Sequence, residues 1–534
     1  MSRAVLTARD AAATVWSRVW GGQPPGGWLS FFGAVVAFVM AVPIAFVVWR
    51  SAFAGVERWA RLLDDRVPSL LWSTLSLAGA VTVAAGLLGT VLALLVHRTD
   101  VPGRRVWRWL LAVPLAVPPY VGAMAYIVIF GPRGWIARWA GSTPIDMYSF
   151  FGAFFVLTVF TYPYVYLVVG GALARIGGTH EEAARSLGLS PQRALTRVTV
   201  PMLRPAIGAG GILVMLYVLS DFGAVATVRY TTFTSAIYYQ MGGFDTASAT
   251  VLSVVLIALT LVVLFAEGFT RRKMRAAAEA PSRPAEPVEL GRWRAAAAAL
   301  LATVCVVALV APVGVLVYWS WVGASLGAFD QRFWGYVVNT ALACGIAAVL
   351  AMVAALPVVY LRSRHPSPAS TVIEKLAYAG YALPGVIVAI GLIALGVRYT
   401  PLLYGTVGML ALAYVVRFAP QAMQSVAASL STISPRIDEA ARIQGLSPAG
   451  VLARVVLPLV APGALAGGAL VFVSAAKELP ATLLLRPIGF DTLAVRVWVE
   501  SSEALYHLAA PPALLIVAIS ALPLKFLLDR FGSE

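Results

Sequence analysis

The chain has 534 residues, of which 60% are hydrophobic and only 12% are charged. A soluble domain carries about 25% charged residues, so this composition excludes an ordinary water-soluble protein and indicates one that lies in a bilayer. The formal net charge of +16 does not indicate nucleic-acid binding, because the basic residues fall between apolar runs and form no basic face. Both cysteines, Cys305 and Cys344, lie in apolar stretches, so we expect no disulfide and no metal–thiolate site.

Apolar stretches of membrane-spanning length recur along the whole chain. A hydrocarbon core of about 30 Å needs roughly 20 apolar residues in a helix, and twelve stretches meet or approach that length. In chain order they are 28–50, 69–96, 107–131, 149–172, 206–228, 249–268, 294–321, 335–360, 372–396, 401–424, 458–483 and 507–528. The first exceeds a signal-peptide core of about 7–15 residues, so we expect it to remain in the protein. The sequence predicts an all-α, polytopic integral membrane protein with 12 transmembrane helices in two pseudo-symmetric six-helix halves.

Charge and composition predict the orientation and the division of the chain. When the loops are assigned to alternating sides, a cytoplasmic N-terminus places most of the 40 basic residues in the cytoplasm. The positive-inside rule therefore predicts that both termini are cytoplasmic. A charged, Ala- and Pro-rich stretch between spans six and seven is typical of a linker. The predicted divisions are a cytoplasmic N-terminal segment (1–27), a first half (28–268), a cytoplasmic linker (269–293) and a second half (294–530).

An internal repeat relates the two halves. Residues 181–206 read EEAARSLGLSPQRALTRVTVPMLRPA, and residues 438–463 read DEAARIQGLSPAGVLARVVLPLVAPG. Four residues of the first copy match identical residues of the second, each 257 positions later: Glu182 with Glu439, Gly188 with Gly445, Pro191 with Pro448, and Pro201 with Pro458. The copies lie in predicted cytoplasmic loops at 174–206 and 431–463. A shared register over this length indicates duplication.

Each copy predicts a short helical hairpin. Thr179 with Glu182 matches a T-x-x-E capping box, while Ser434 followed by Pro435 supplies an N-cap and a proline at the first helical position. A glycine then ends the helix in a left-handed conformation, and a Ser-Pro pair caps a second helix. These residues are Gly188 with Ser190 and Pro191, and Gly445 with Ser447 and Pro448.

The pattern E-A-A-x3-G, with a proline 13 residues after the glycine, is present in both copies. It resembles the signature loop of permeases of bacterial binding-protein-dependent ABC importers, and the resemblance covers nearly the whole chain. In that family the loop forms coupling helices that dock on ATP-binding subunits. The resemblance therefore implies a coupling role for Glu182, Ala183, Ala184, Gly188, Glu439, Ala440, Ala441 and Gly445. The small alanine side chains would let a partner surface approach closely.

The energy source is expected to lie outside this chain. A P-loop needs Gly-Lys-Ser/Thr to cradle phosphates, and none of the four lysines follows a glycine. We therefore expect a transport subunit without enzymatic activity or cofactor, served by two copies of an ABC ATP-binding subunit because there are two coupling loops. The resemblance also implies an external or periplasmic solute-binding protein and a multi-pass location in the bacterial plasma (inner) membrane, among its lipids. No nucleic-acid partner is expected.

The substrate prediction depends on two acidic residues that interrupt apolar spans. Asp221 and Glu478 are 257 residues apart, so a pseudo-twofold axis would bring two carboxylates near a central cavity, where they suit a cation. Their segments resemble those of ferric iron permeases of the fused type. That resemblance implies ferric iron as the substrate. Tyr217 and Tyr238 could add phenolic oxygen to a translocation pathway formed with the two acids, since trivalent iron prefers oxygen ligands. No residue is predicted firmly as a metal ligand.

Several alternatives stay open. The two carboxylates could instead be structural, bonding loop amides or an arginine such as Arg229 or Arg486. Thiamine permeases share the fused layout, and phosphonate permeases share the signature loop. A twelve-helix secondary transporter also has six plus six helices around a cytoplasmic linker, and HRTDVPGRR at 97–105 resembles part of the first basic loop of such a family. A membrane enzyme is not expected, because the four histidines are dispersed.

Overall fold

The computed structural model describes residues 27–143, 145–176, 178–276 and 286–532. Within them the chain forms helices and no named strand, and the one isolated β-bridge joins Thr99 and Val288. The predicted all-α class is confirmed. The predicted N-terminal segment, apart from Gly27, and the middle of the predicted linker lie outside the described residues.

The helices before the linker are numbered here in chain order. They are α1 (Gly27–Ala52), α2 (Val56–Arg61), α3 (Val67–Arg98), α4 (Arg104–Leu110), α5 (Pro119–Phe130), α6 (Trp135–Ala140), α7 (Phe150–Ile176), α8 (Thr179–Ser186), α9 (Pro191–Ala194), α10 (Val200–Met202), α11 (Arg204–Ser220), α12 (Gly223–Thr227), α13 (Phe233–Gly242) and α14 (Thr246–Ala276). Short π or 3-10 segments join some of them: Leu62–Arg66, Val113–Ala116 and Leu195–Thr199.

The numbering continues after the linker. The helices are α15 (Arg294–Cys305), α16 (Ala311–Ser325), α17 (Gln331–Arg364), α18 (Pro368–Ala377), α19 (Gly385–Tyr399), α20 (Val407–Ser431), α21 (Pro435–Ile443), α22 (Pro448–Val451), α23 (Leu457–Ala476), α24 (Pro480–Leu485), α25 (Leu493–Ser502) and α26 (Tyr506–Gly532). The short segments are Gly291–Trp293, Val306–Val310, Ala379–Ala382 and Leu452–Val456.

Among the described residues, 8 helices are long and apolar enough to cross a membrane, or up to 10 if each bent pair is one span. The bent pairs are Arg104–Ala116 with Pro119–Ala140, at 94°, and Pro191–Met202 with Arg204–Ser220, at 55°. The predicted ninth span is divided between α18 and the 15-residue α19. The polytopic character is confirmed, whereas the number twelve stays a prediction.

The first compact unit comprises the described residues up to Phe53 together with Gly335–Thr492. In this unit α1 packs against α18 and α19, and α20 packs along α23. A Cβ at Gly391 of α19 would lie 2.3 Å from the carbonyl oxygen of Pro43 on α1, so only glycine permits this approach. The first of the described helices thus packs on helices of the second sequence half.

The second compact unit comprises Ala54–Trp334 together with the described residues from Leu493 onward. Here α3 packs along α7 and α11, while α16 packs along α26. A Cβ at Gly323 of α16 would lie 2.3 Å from the carbonyl oxygen of His507 on α26. Both compact units therefore contain helices from both sequence halves.

Candidate functional site

The first loop helix, α8, exposes one face and packs the other against the protein. Glu182 and Ala183 are exposed, whereas Ala184 is buried. The chain leaves the helix through Gly188, whose φ of 92° is a conformation that glycine adopts readily. Ser190 then caps the next helix by accepting a hydrogen bond from a backbone N–H three residues on. The predicted helical hairpin is confirmed in this copy.

The predicted capping box at Thr179 is wrong. Helix α8 begins at Thr179 itself, and Gly178 takes the N-cap position without a side-chain hydrogen bond. The Thr179 hydroxyl therefore lies inside the first turn, past the position from which a cap reaches the free N–H groups. Glu182 lies on the exposed face of the helix.

The second loop helix, α21, repeats the arrangement. Ser434 caps it by accepting a hydrogen bond from the backbone N–H of Arg436, and Pro435 is its first residue, as predicted. The equivalent positions are matched in exposure and backbone conformation: Glu439 and Ala440 are exposed, Ala441 is buried, and Gly445 has a φ of 87°. The two loop helices thus present the same exposed glutamate and alanine.

A buried ion pair holds the first loop helix, and the sequence analysis did not identify it. Glu181, one residue before the exposed glutamate, forms an ion pair with Arg98, the last residue of α3. The hydroxyl of Thr199 also donates to the Glu181 carboxylate. The side chains of the pair are 4% and 10% exposed, so this contact belongs to the interior of the second unit.

An equivalent pair holds the second loop helix within the first unit. Arg364, the last residue of α17, donates to Asp438 at 3.0 Å, and the hydroxyl of Tyr360 donates to the same carboxylate at 2.9 Å. Arg364 also donates to the carbonyl oxygen of Ile433 at 3.0 Å. The two arginines are 266 residues apart and the two acids 257 apart. Those spacings show that the arginine and the acid recur in both halves, but the sequence contains no signal that the two side chains are in contact.

The end of the linker runs beside the loop that follows α3. The backbone N–H of Val288 donates to the carbonyl oxygen of Arg98 at 2.8 Å, and the N–H of Asp100 donates to the carbonyl oxygen of Val288 at 3.3 Å. This is the isolated β-bridge of the fold. Residues 286–290, called the strap below, are therefore attached to the residue that pairs with Glu181.

Side chains reinforce the strap. Arg294 donates to the carboxylate of Asp100, which also accepts the backbone N–H of Leu290 at 2.9 Å. These hydrogen bonds, that of Arg294 first, hold the pKa of Asp100 below its ordinary value, so the carboxylate remains charged at neutral pH. Glu286 forms an exposed ion pair with Arg185 of α8 at 3.1 Å. The linker was predicted from composition alone, and composition carries no information about this contact.

In the second unit, Asp221 lies where α11 ends. Its carboxylate accepts the backbone N–H groups of Ala224 at 3.0 Å and Val225 at 3.2 Å, which stabilises the start of α12. Asp221, Tyr217 and Tyr238 are all half-buried. The ring of Tyr238 lies 4.6 Å from that of the neighbouring Phe222, measured between centroids.

In the first unit, Glu478 forms a buried ion pair. The guanidinium Nη1 of Arg417 lies 2.5 Å from each carboxylate oxygen of Glu478, which also accepts the backbone N–H of Ala481 at 3.3 Å. A Cβ at Gly385 would overlap both charged side chains, so this glycine leaves room for the pair. Arg486, named as a possible partner in the sequence analysis, pairs with Asp491.

Among the residues that the structure describes, no three His, Cys, Asp or Glu side chains lie close enough to hold a metal ion. Asp221 accepts a hydrogen bond from Ala224, and Glu478 accepts one from Arg417. Asp221 belongs to the second unit and Glu478 to the first. Their predicted pairing across a cavity, and their role in a translocation pathway, stay predictions.

The sequence matches a family of transport proteins twice. This is the family of binding-protein-dependent transport system inner membrane components. Its two matches cover residues 85–276 and 359–532. The first match contains α8 with Arg98, and the second contains α21 with Arg364. Each half therefore carries its own loop helix and its own buried ion pair inside the matched region.

Curated relatives agree with this assignment. The Fe(3+)-transport system permease protein FbpB 2 of Haemophilus influenzae is 31% identical over 95% of this chain and 99% of its own length. The probable ABC transporter permease protein y4fN of Sinorhizobium fredii is 25% identical over 84% of both chains. The sulfate transport system permease protein CysW of Synechocystis is 28% identical over 42% of this chain and 85% of its own length. This chain belongs to the family of binding-protein-dependent transport system inner membrane components, with two copies of the family's sequence fused in one polypeptide.

Proposed function

We propose that this chain is the permease subunit of an ABC importer that moves ferric iron into the cytoplasm. Two copies of a separate ATP-binding subunit dock on the loop helices α8 and α21, and an external binding protein delivers the solute. The observation that carries the proposal is the matched pair of exposed faces, Glu182 with Ala183 and Glu439 with Ala440, each inside one family match. Two docking faces on one chain support two copies of the ATP-binding subunit.

Ferric iron is favoured by the extent of the similarity. The Haemophilus influenzae relative, named as an Fe(3+)-transport permease, aligns with 95% of this fused chain, whereas the Synechocystis sulfate permease aligns with 42% of it. Half-buried Asp221, Tyr217 and Tyr238 offer oxygen atoms, the ligands that trivalent iron prefers. We place these three residues on the pathway, whereas the ion pair of Glu478 with Arg417 supports the structural alternative for Glu478.

The experiment that tests this function is uptake by the complete complex in proteoliposomes. The complex contains this chain, its ATP-binding subunit and its binding protein, and the probe is radiolabelled ferric iron. We expect ATP-dependent accumulation of iron that stops when the binding protein is omitted. Thiamine, phosphonate and sulfate serve as comparison solutes under the same conditions. If the complex takes up one of these solutes and no iron, the proposal of ferric iron as substrate is wrong, whereas the proposal of an ABC importer stands.

We further propose an inner-membrane orientation with both termini and both loop helices in the cytoplasm. A cysteine introduced at exposed Ser186 of α8 should react with a membrane-impermeant maleimide in inside-out vesicles only. A cysteine at exposed Ile488, in the loop after α24, is the matched control and should react only in spheroplasts. The background is low because both native cysteines are buried. Reaction of the Ser186→Cys variant in spheroplasts contradicts the orientation.

A further inference from the structure

Each loop helix is attached to a long helix through a buried ion pair at its first turn. Glu181 lies in the first turn of α8, and Asp438 lies in the first turn of α21. Their partners, Arg98 and Arg364, are the last residues of α3 and α17. In both copies, therefore, the pair joins the N-terminus of a loop helix to the C-terminus of a membrane helix.

The electrostatics of this arrangement are favourable at both ends. A helix N-terminus carries partial positive charge and stabilises an acidic side chain, while a C-terminus stabilises a cation. Each pair consequently lies where both helix dipoles support it. Burial excludes water from the contact, so the pair is screened less by salt than an exposed pair.

A third group completes each pair, and it differs between the copies. Thr199, from the π-helical segment after α9, donates to Glu181, whereas Tyr360, one turn before Arg364 on α17, donates to Asp438. The arrangement is therefore the same although the supporting hydroxyls come from different elements. Each copy therefore supplies its buried carboxylate with a second hydrogen-bond donor from a different position in the fold.

A buried ion pair contributes little net stability, since desolvation offsets much of its attraction, so a gain in stability does not by itself account for the two pairs. We infer that Arg98 with Glu181, and Arg364 with Asp438, are positioning residues that carry motion between each loop helix and its membrane helix. When a docked ATP-binding subunit displaces α8 or α21, the pair moves the cytoplasmic end of α3 or α17 with it. The inference rests on the proposed function, because it assigns a mechanical role to helices proposed to dock that subunit.

The test separates ATP hydrolysis from transport in the complete complex in proteoliposomes. One variant replaces both pairs with neutral side chains, Arg98→Met, Glu181→Gln, Arg364→Met and Asp438→Asn, so that no unpaired charge remains buried. We expect it to retain the ATP-binding subunit, because Glu182 and Glu439 are unchanged, and to hydrolyse ATP within about twofold of the unmodified complex. The number of ferric ions moved per ATP should fall at least about tenfold.

A conservative variant provides the control. The Arg98→Lys, Arg364→Lys variant keeps a cation against each carboxylate. It should move at least half as many ferric ions per ATP as the unmodified complex. An unchanged ratio in the neutral variant would overturn the inference. So would a parallel fall of ATP hydrolysis and transport, since that pattern reports loss of assembled complex. Failure of the proposed function itself is distinguishable, because the unmodified complex would then fail to bind the ATP-binding subunit or fail to accumulate iron.

Discussion

Reversing the charge of both exposed loop glutamates, with Glu182→Lys and Glu439→Lys, is expected to reduce iron uptake at least about tenfold. Both carboxylates lie on faces proposed to dock ATP-binding subunits. Charges of the wrong sign at a protein interface cost several kcal/mol, and each 1.4 kcal/mol is a factor of ten in a binding constant. The chain should still insert into the membrane, because exposed loop residues make no contribution to the buried interior.

The measurements are uptake and the number of ATP-binding subunits that remain bound in native mass spectrometry. We expect two copies on one unmodified chain and none on the double variant. The control places lysines in the same loops at Gln192→Lys and Ala449→Lys, which adds one positive charge to each loop without removing a carboxylate. Both control positions are exposed, lie outside the loop helices and are 257 residues apart. Normal uptake by the double glutamate variant would remove the coupling role from α8 and α21.

Local chemistry made the loop hairpins predictable. Gly188 and Gly445 have positive φ because a helix that ends abruptly needs a residue without a Cβ, and Ser434 caps α21 because a short hydroxyl reaches the free N–H groups. The cap predicted for α8 was wrong because the helix begins one residue earlier than predicted, so Gly178 occupies the N-cap position assigned to Thr179. Patterns confined to a few residues predict structure as long as the helix boundary is right.

Long-range contacts were beyond the sequence analysis. Arg98 and Glu181 are 83 residues apart, and no local pattern indicates which of the adjacent acids, Glu181 or Glu182, becomes buried. Hydropathy indicates how long an apolar helix is but not which helices it contacts, so it could not predict that α1 packs against α18 and α19. A short apolar helix such as α19 was merged with its neighbour, because the break before Pro384 falls inside a continuous apolar stretch.

The second large effect is expected at the ion pair of Arg417 with Glu478. Glu478→Gln keeps an oxygen for the N–H of Ala481 but removes the charge opposite Arg417. A buried charge left without its partner destabilises a protein by about 3–5 kcal/mol. We therefore expect less folded protein in the membrane and a lower melting temperature in detergent, with iron uptake reduced in proportion.

Removing both charges separates the two roles of Glu478. Arg417→Met with Glu478→Gln leaves no buried charge, and replacement of a buried pair by neutral groups is often nearly neutral in stability. If the pair is structural, the double variant should recover both its melting temperature and its uptake of iron. A stable double variant that still fails to transport iron would instead place Glu478 on the pathway.

Asp221 provides the contrast in the same assay. Asp221→Asn keeps a side-chain oxygen that can accept the N–H groups of Ala224 and Val225, so the start of α12 should remain capped and the melting temperature unchanged. The substitution removes the negative charge, which a passing ferric ion would encounter at a half-buried position. We expect uptake to fall while the binding protein still stimulates ATP hydrolysis, because docking uses other surfaces. Full uptake by this variant would assign Asp221 to helix capping alone, and the pathway would then need other oxygen donors.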